Sequence, residues 1–307
     1  MIRLWLNPLN WPAAALVLAA RLLILLPHSV VLGVGGLLGS ASRLLVKDRL
    51  LVADTNLAAC FPELDPARRQ DLLRENLRNT GRGLLETVMG LWSSDRRLRG
   101  LTDVEGLEHL RHAEQVGGLV IICHVTMVEL MARLVSLHSE TGLFLLARRN
   151  NQPLLEAMMG AARRRHHRQV MEKKDTLGLL RTLKSGGLVG YAPDQDFNYG
   201  STFADFFGIP AATVTATSQL PARGGGTVLP AWCHRDSGGR YQLRFFPPFA
   251  DFPSEDPAAD SARVNAWIEQ QVRQHPAQYL WVHRRFKTRP PGEPAFYQPR
   301  ARRPKHR

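Results

Sequence analysis

The sequence predicts an α/β fold: a mixed, largely parallel sheet flanked by helices, with an N-terminal membrane helix in front of it. Four short apolar runs, each led by glycine, have the composition of strands buried on both faces of a sheet. Amphipathic stretches lie between the first three runs, as expected when strands pair in parallel. The 307 residues are 44% hydrophobic, which provides a sizeable core and excludes a disordered or collagen-like chain.

The first segment, residues 1–45, is predicted to be a membrane anchor. Arg21 is the only charged residue between positions 4 and 42. Residues 12–26 form an apolar helix that Pro27 ends, somewhat short of the roughly 20 residues that span a bilayer. The anchor therefore spans the membrane or lies in its interface, and a buried core helix and a cleaved signal peptide remain the alternatives.

Basic residues follow the anchor and dominate the whole chain. Arg43, Lys47 and Arg49 flank the apolar segment, so the positive-inside rule places everything downstream on the cytoplasmic side. The chain has 40 Lys and Arg against 27 Asp and Glu, a net charge of +13. Such a charge indicates an anionic partner, which is nucleic acid, an acidic protein or a phosphorylated lipid.

Several kinds of site are excluded by their missing motifs. Cys60, Cys123 and Cys233 are far apart and form neither a disulfide framework nor a CxxC pair, so a reducing compartment is expected. No HExxH motif or other ligand spacing occurs, so no metal site is expected. A GxSxG elbow, a P-loop and a dinucleotide fingerprint are also missing, and neither NAD nor ATP is predicted as a cofactor.

The catalytic domain is predicted over residues 46–290. It opens with helices, one of which begins at Asp65 as N-cap and Pro66 as first residue. The apolar runs GGLVIIC, TGLFLLA, GGLVGYA and GGTVLPAW are the predicted strands, and the helices between the first three are VELMARLVSLH, PLLEAMMGAARRR and DTLGLLRTLKS. RYQLRFFPPF predicts a later antiparallel strand, and ARVNAWIEQQVRQHP predicts a helix. Residues 291–307 are expected to form a basic, Pro- and Arg-rich tail.

His124 is the leading catalytic candidate. It follows the strand that ends at Cys123, and catalytic groups in open α/β sheets gather at the carboxyl ends of strands. Glu129, in the first turn of the next helix, can reach back to the imidazole and orient it as a base for a substrate hydroxyl. Two structural alternatives stay open: Thr126 and Glu129 form a capping box, or His124 is a hydrogen-bonded structural residue.

Acidic and basic groups follow the other predicted strands. Asp194 and Asp196 come after the strand that ends at Ala192, where they can orient a base, bind sugar hydroxyls or simply form a polar turn. Basic clusters occur at Arg148–Arg149, at residues 163–168 and in the segment WVHRRFKTR. They predict a cationic rim suited to phosphate, with a solvated surface as the alternative. The aromatic run FNYGSTFADFF suits base stacking, but no RRM, KH or helix-turn-helix signature supports nucleic-acid binding.

The sequence also contains a set of blocks in a characteristic order. HVTMVE has a histidine followed by four residues and an acid, and further blocks are NLAACFPE, VEGLEHL, YAPDQDF and PAQYLWVHRRFKTRPPGEPAFY. Together they resemble the late (lauroyl/myristoyl) acyltransferases of lipid A biosynthesis, within the lysophospholipid acyltransferase superfamily. The histidine motif alone is a weak signal, but the ordered set of blocks covers most of the chain.

The resemblance implies a glycerolipid-acyltransferase-like fold and transfer of a fatty acyl chain without a cofactor. The donor would be an acyl carrier protein thioester, and the acceptor a hydroxyl of an acyl chain on a phosphorylated lipid A precursor. The partners would then be acyl carrier protein, the phosphorylated glycolipid and the membrane, with no nucleic acid. The protein would lie at the cell inner membrane with its catalytic domain on the cytoplasmic side.

The resemblance also implies roles for individual residues. His124 would be the general base and Glu129 its partner. Arg148, Arg163 and Asp194 match further functional positions and would bind substrate, although the AARRR sequence leaves the first two arginines of that run as alternatives. Two other functions remain open: the same chemistry on another glycolipid or aminolipid, and a basic membrane-attached protein that binds polyanions.

Overall fold

The computed structural model describes Leu4, residues 7–172 and residues 175–297. Nine strands are assigned in these residues, seven of them in one sheet, while β6 and β7 form a separate antiparallel hairpin. In chain order they are β1 (Thr102–Glu105), β2 (Gly118–Ile121), β3 (Leu143–Ala147), β4 (Gln169–Glu172), β5 (Leu188–Tyr191), β6 (Ser201–Phe206), β7 (Ile209–Val214), β8 (Thr227–Arg235) and β9 (Tyr241–Phe245).

The sheet has the strand order β1-β9-β8-β2-β5-β3-β4. Every neighbouring pair is parallel except β8 and β9, which are antiparallel. The predicted mixed, largely parallel sheet is therefore confirmed, including the late antiparallel strand. Strand β2 lies in the middle, with Gly118 opposite Leu188 of β5 on one side and Thr227 of β8 on the other.

Eleven α-helices are assigned in the same residues, and two short 3-10 helices lie at Pro8–Asn10 and Pro276–Gln278. The α-helices are α1 (Trp11–Leu23), α2 (His28–Ser42), α3 (Lys47–Cys60), α4 (Pro66–Trp92), α5 (Asp95–Gly100), α6 (Leu107–Val116), α7 (Val128–His138), α8 (Pro153–His166), α9 (Thr176–Lys184), α10 (Ala216–Gly224) and α11 (Pro257–Gln274). Helix α4 begins as predicted, with Asp65 accepting a hydrogen bond of 2.8 Å from the backbone N–H of Arg68.

The side chains of β2 and of the residue after it point alternately into two cores, one on each face of the sheet. Val120 and Ile122 belong to the larger core, which includes residues of α4 and α7. Leu119 and Ile121 face the opposite way, into a smaller core built with α9 and α10. Because a parallel strand in this position is covered on both faces, its sequence is continuously apolar.

The N-terminal segment forms two helices where the sequence predicts one. Helix α1 ends at Leu23, and Pro27 is the N-cap of α2. Helix α2 packs along α4 with its backbone in direct contact, since a Cβ atom at Gly81 would overlap with the backbone of Gly35 and Gly39. The segment predicted as an anchor thus contributes one buried face to the fold.

The other faces of the N-terminal helices carry large side chains that no part of the described structure covers. The most exposed of these side chains are Leu9, Leu16, Leu25, Leu37, Leu44 and Leu45, all between 71% and 87% accessible. Among residues 7–172 and 175–297, no single helix is both long and apolar enough to cross a bilayer. Helices α2 and α3, which meet at 98°, together satisfy those requirements of length and composition.

The described C-terminal residues pack against the domain beyond the predicted boundary at residue 290. Tyr297 is buried and donates a hydrogen bond of 2.6 Å to the side-chain carbonyl of Asn56. The same Asn56 side chain donates to the backbone carbonyls of Trp281 and His283. Most of the predicted tail, residues 298–307, lies outside the described residues.

Candidate active site

Three adjacent strands end at the same edge of the sheet and bring predicted site residues together. His124 follows β2, Asp194 follows β5 and Arg148 follows β3, and these strands are neighbours in the order β2-β5-β3. The strands end one or two residues earlier than predicted, at Ile121 and Tyr191. Carboxyl ends of parallel strands are the usual place for ligands in open α/β sheets, so this edge is the candidate active site.

Asp194 is the partner of His124, which is the base-orienting alternative that the sequence leaves open. Asp194 is buried and is not among the residues that line the cavity, where a substrate-binding residue would be expected. Its Oδ1 atom lies 2.6 Å from the imidazole Nδ1, and its Oδ2 atom accepts a hydrogen bond of 2.8 Å from the His124 backbone N–H. Burial by itself would raise the pKa of Asp194, but the charge and hydrogen bonds of His124 outweigh it and lower the pKa. An ionised carboxylate only accepts hydrogen bonds, so Nδ1 of His124 is the donor in this pair, and Nε2 is the nitrogen that has the lone pair when the ring is neutral.

The imidazole of His124 lines a cavity of about 520 Å³. No residue in the described part of the chain hydrogen-bonds its Nε2 atom. The polar and charged side chains of its lining include Glu129, Arg148, Arg163, Tyr191, Gln195 and Gln219. Its apolar side chains include Val128, Ala132, Leu145, Leu146, Leu179 and Leu220. A base with a free lone pair, facing a cavity of mixed polarity, can remove a proton from a hydroxyl on an amphipathic substrate.

Glu129 does not contact His124, and its predicted role as the orienting carboxylate is wrong. Its two carboxylate oxygens accept hydrogen bonds of 2.9 and 2.6 Å from Nε and Nη2 of Arg163. The capping-box alternative is wrong as well. Helix α7 has Met127 as N-cap without a side-chain bond, and the buried Thr126 hydroxyl has no partner in the described structure.

Arg163 is the arginine of its run that enters the cavity. Its side chain is only 13% accessible, whereas Arg164 is exposed to solvent, which resolves the choice that the sequence leaves open. Burial would lower the pKa of Arg163, but the hydrogen bonds and charge of Glu129 raise it. The pair thus keeps a charged guanidinium beside the candidate base.

Of the arginines predicted to form a cationic rim, Arg148 lines the cavity, whereas Arg285 is buried elsewhere. Arg148 is exposed at the cavity, and no carboxylate in the described residues lies within ion-pair distance of it. Arg285 is only 3% accessible and donates hydrogen bonds of 2.7 Å to the Ala212 carbonyl and the Thr213 hydroxyl. Burial lowers the pKa of Arg285. Its position shows that this arginine holds the C-terminal segment and does not face a ligand.

Part of the aromatic run after β5 is buried. Phe197, Phe206 and Phe207 are buried, and Phe206 lies on the hairpin β6–β7, which packs on α11. Three of the aromatic side chains that suit base stacking are therefore not available to a nucleic acid.

A short C-terminal segment holds the loop that carries His124. The backbone N–H of Leu280 donates to the His124 carbonyl at 2.9 Å, and the backbone N–H of Thr126 donates to the Gln278 carbonyl at 2.8 Å. The Asn76 side chain of α4 in turn donates to the carbonyls of Ala277 and Tyr279. The sequence does not predict this support. The segment belongs to the block PAQYLWVH, whose local pattern does not show which residues it contacts.

His283 supports the second acidic residue of the site loop and predicts a pH dependence of stability. Its Nε2 atom accepts a hydrogen bond of 3.0 Å from the backbone N–H of Asp196. Burial lowers the pKa of His283 to about 4, so the ring is neutral at pH 7. Between that value and the ordinary value of about 6.5, the unfolded chain binds a proton that the folded chain does not. Stability contributed by this site is therefore lost as the pH falls from about 6.5 to about 4.

We expect the unfolding free energy of His283→Gln to fall less steeply with decreasing pH than that of the wild type. The difference in slope should correspond to about one proton fewer taken up on unfolding. The measurement is chemical denaturation of the full chain in detergent at pH values from 7 to about 4. His112→Gln, on the exposed surface of α6, is the matched control and should leave the dependence unchanged. Equal acid dependence in the wild type and in His283→Gln would contradict the expectation.

Comparison with known proteins places the chain in a family. Residues 3–288 match the model of the bacterial lipid A biosynthesis acyltransferases. The chain is 34% identical over 281 residues to the lipid A biosynthesis lauroyltransferase of Escherichia coli K12, covering 90% of this chain and 91% of the relative. It is also 34% identical over 278 residues to the palmitoleoyltransferase of the same organism, covering 89% and 90% of the two chains.

A lipid A biosynthesis acyltransferase of Haemophilus influenzae is 31% identical over 285 residues, covering 90% of this chain and 91% of the relative. Among solved structures, the 1-acyl-sn-glycerophosphate acyltransferase PlsC of Thermotoga maritima matches 75% of this chain and 96% of its own, with 14% identity and a TM-score of 0.37. The family match and the three relatives each cover most of the chain. The chain therefore belongs to the bacterial lipid A biosynthesis acyltransferase family and is an acyltransferase.

Proposed function

We propose that this protein transfers a fatty acyl chain from an acyl carrier protein thioester to a hydroxyl of an acyl chain on a phosphorylated lipid A precursor. The observation that carries the proposal is the His124–Asp194 pair with its free Nε2 atom at the cavity. The apolar side chains that line this cavity suit an acyl chain. Family membership supports the lipid A precursor as acceptor.

The proposed reaction transfers one proton and replaces the carbon–sulfur bond of the thioester with a carbon–oxygen bond. Nε2 of His124 accepts the hydroxyl proton as the hydroxyl oxygen attacks the thioester carbonyl carbon. The tetrahedral intermediate then collapses, the carbon–sulfur bond breaks, and the imidazolium returns the proton to the leaving thiolate. Asp194 holds the ring orientation and stabilises the imidazolium between the two steps. A thioester is already activated, so positioning and proton transfer account for the chemistry.

The two cavity arginines are proposed to bind different groups. Glu129 already compensates the charge of Arg163, so this guanidinium is fixed in place and suits hydrogen bonding to the reacting acyl groups. Arg148 is exposed and has no carboxylate partner in the described structure, so it suits a phosphate of the acceptor.

We also propose that the N-terminal helices attach the protein to the cell inner membrane, with the catalytic domain on the cytoplasmic side. The exposed leucines of residues 9–45 support attachment, because such a surface is more stable in lipid than in water. Arg43, Lys47 and Arg49 are exposed beside them and would each contribute about 1 kcal/mol at an anionic lipid surface.

The test is acyl transfer by the purified full chain in detergent. Donors are acyl carrier protein thioesters of several chain lengths, and acceptors are a lipid A precursor, its dephosphorylated form, another glycolipid and an aminolipid. We expect transfer to the phosphorylated precursor, and mass spectrometry of the product identifies the acylated hydroxyl. Transfer only to another lipid would overturn the proposed acceptor while keeping the chemistry. Salt-sensitive binding of polyanions without any transfer would overturn the enzymatic proposal.

A further inference from the structure

We propose that the outer surface of helices α9 and α10 is the docking surface for the acidic carrier protein that delivers the acyl thioester. This inference rests on the proposed function, which supplies the carrier as donor. The surface is defined by Leu177, Arg181 and Lys184 of α9 and Arg223 of α10.

The charge of this surface is uniformly positive. The two helices contain three cations and neither Asp nor Glu. Arg181, Lys184 and Arg223 are exposed, and no carboxylate within the described ranges pairs with them. The nearest acid in sequence, Asp175, is engaged in capping α9, where it accepts a hydrogen bond of 2.8 Å from the Gly178 N–H. An acidic protein surface complements such a patch.

The patch also contains an apolar contact point. Leu177 is 67% accessible, although the other leucines of α9 are buried or half-buried. Leu177, Arg181 and Lys184 are spaced four and three residues apart and therefore share one face of the helix. An exposed leucine on the same helix face as two cations is the composition expected where a protein partner docks through apolar and charged contacts.

The inner side of the same two helices forms a wall of the cavity. Leu179 and Leu220 line it from within, so a single helix, about 10–12 Å across, separates the patch from the acyl site. Thr176, the first residue of α9, is both exposed and part of the lining. The start of α9 therefore marks an opening through which a flexible arm carrying the thioester can enter.

The patch lies on the side of the sheet away from the N-terminal helices. Helix α2 packs on α4, whose Leu85 and Met89 join the core formed with Val120, whereas α9 and α10 cover the opposite side with Leu119. If the exposed leucines of α1 and α2 contact lipid, the sheet separates the patch from the membrane. This placement favours a soluble protein partner over a lipid surface, and it lets the two substrates reach the cavity from opposite sides.

The test compares two donors with the same acyl chain: the carrier protein thioester and a pantetheine thioester that lacks the protein. In Arg181→Glu/Lys184→Glu, we expect KM for the carrier donor to rise about tenfold with kcat unchanged. KM for the pantetheine donor should not change, and added salt should raise KM for the carrier donor in the wild type only. Arg181→Gln/Lys184→Gln, which adds no negative charge at a helix end, should give a smaller rise of the same kind.

Arg68→Glu/Arg78→Glu is the matched control, since both arginines are exposed on α4 and the change in net charge is the same. Wild-type KM for the carrier donor in Arg181→Glu/Lys184→Glu would overturn the docking surface while leaving the proposed function intact. An equal rise for both donors, with weaker binding to phosphatidylglycerol vesicles, would overturn it in favour of a lipid contact. A wild-type protein that uses only the pantetheine donor would overturn the proposed carrier itself.

Discussion

Replacing His124 with alanine is expected to reduce acyl transfer by about 10²- to 10⁴-fold, the usual contribution of a general base. The substitution removes the free Nε2 atom at the cavity but leaves β2 and the supporting hydrogen bonds of the loop backbone in place. The chain should therefore still fold and bind its substrates. The measurement is kcat with the carrier donor, together with thermal unfolding of both proteins. Full transfer by a folded His124→Ala variant would eliminate the proposed base.

The partner of the base is tested by two carboxylate substitutions. Asp194→Asn keeps the shape of the side chain but removes the charge that stabilises the imidazolium, so we expect a large loss of kcat. It should also shift the resonance of the Nδ1 hydrogen in protein labelled with ¹⁵N-histidine. Glu129→Gln is the contrasting variant, because its contacts are with Arg163. It should leave that resonance in place, and a shift of similar size would return the orienting role to Glu129.

Arg235→Met is expected to lower the free energy of unfolding by about 3–5 kcal/mol, as when one partner of a buried ion pair is removed. Arg235 of β8 pairs with Glu86 of α4, and both side chains are almost inaccessible to water. Tyr241 donates a further hydrogen bond of 3.1 Å to Glu86. Without the guanidinium, the Glu86 carboxylate would remain buried with only neutral partners, which is costly in a medium of low polarity.

Chemical denaturation in detergent measures this loss, and Glu86→Gln/Arg235→Met is its control. The double substitution removes both charges, so much of the lost stability should return, since neutral pairs can replace buried ion pairs at little cost. A double variant as unstable as Arg235→Met alone would mean that the loss comes from packing of the arginine stem and not from the unpaired charge.

The sequence predicts the centre of this fold well. A continuous apolar run indicates a strand buried on both faces, and apolar residues three or four positions apart indicate an amphipathic helix. Helix α7 spans Val128–His138, the stretch predicted as helical, and His124 follows β2 as predicted, although the strand ends two residues earlier than expected. Strands β1 and β4 are missed because TDVE and QVME are short, partly polar and at the sheet edges. Strands of that kind lack the apolar run that marks a central one.

The sequence predicts the members of the candidate site, but it favours Glu129 as the partner of His124 and leaves Asp194 as one of several alternatives. Glu129 is five residues from His124, whereas Asp194 is seventy residues away, and only the adjacency of β2 and β5 brings the latter to the ring. A single sequence contains no direct information about which strands are neighbours. The burial of Arg285 is missed for the same reason, since its acceptors come from β7. Arginine is rarely buried, and no local pattern marks the exception.

The segment Pro276–Gln278 and its neighbour Leu280 have a consequence for biosynthesis. They hold the His124 loop through backbone hydrogen bonds, yet they are translated about 150 residues after it. The ribosome therefore releases the strands and most helices before the residues that fix the base in place. A nascent chain cannot adopt the arrangement at His124 seen here until residues 276–280 have joined it. The geometry of the base therefore depends on a segment that the ribosome adds long after His124 itself.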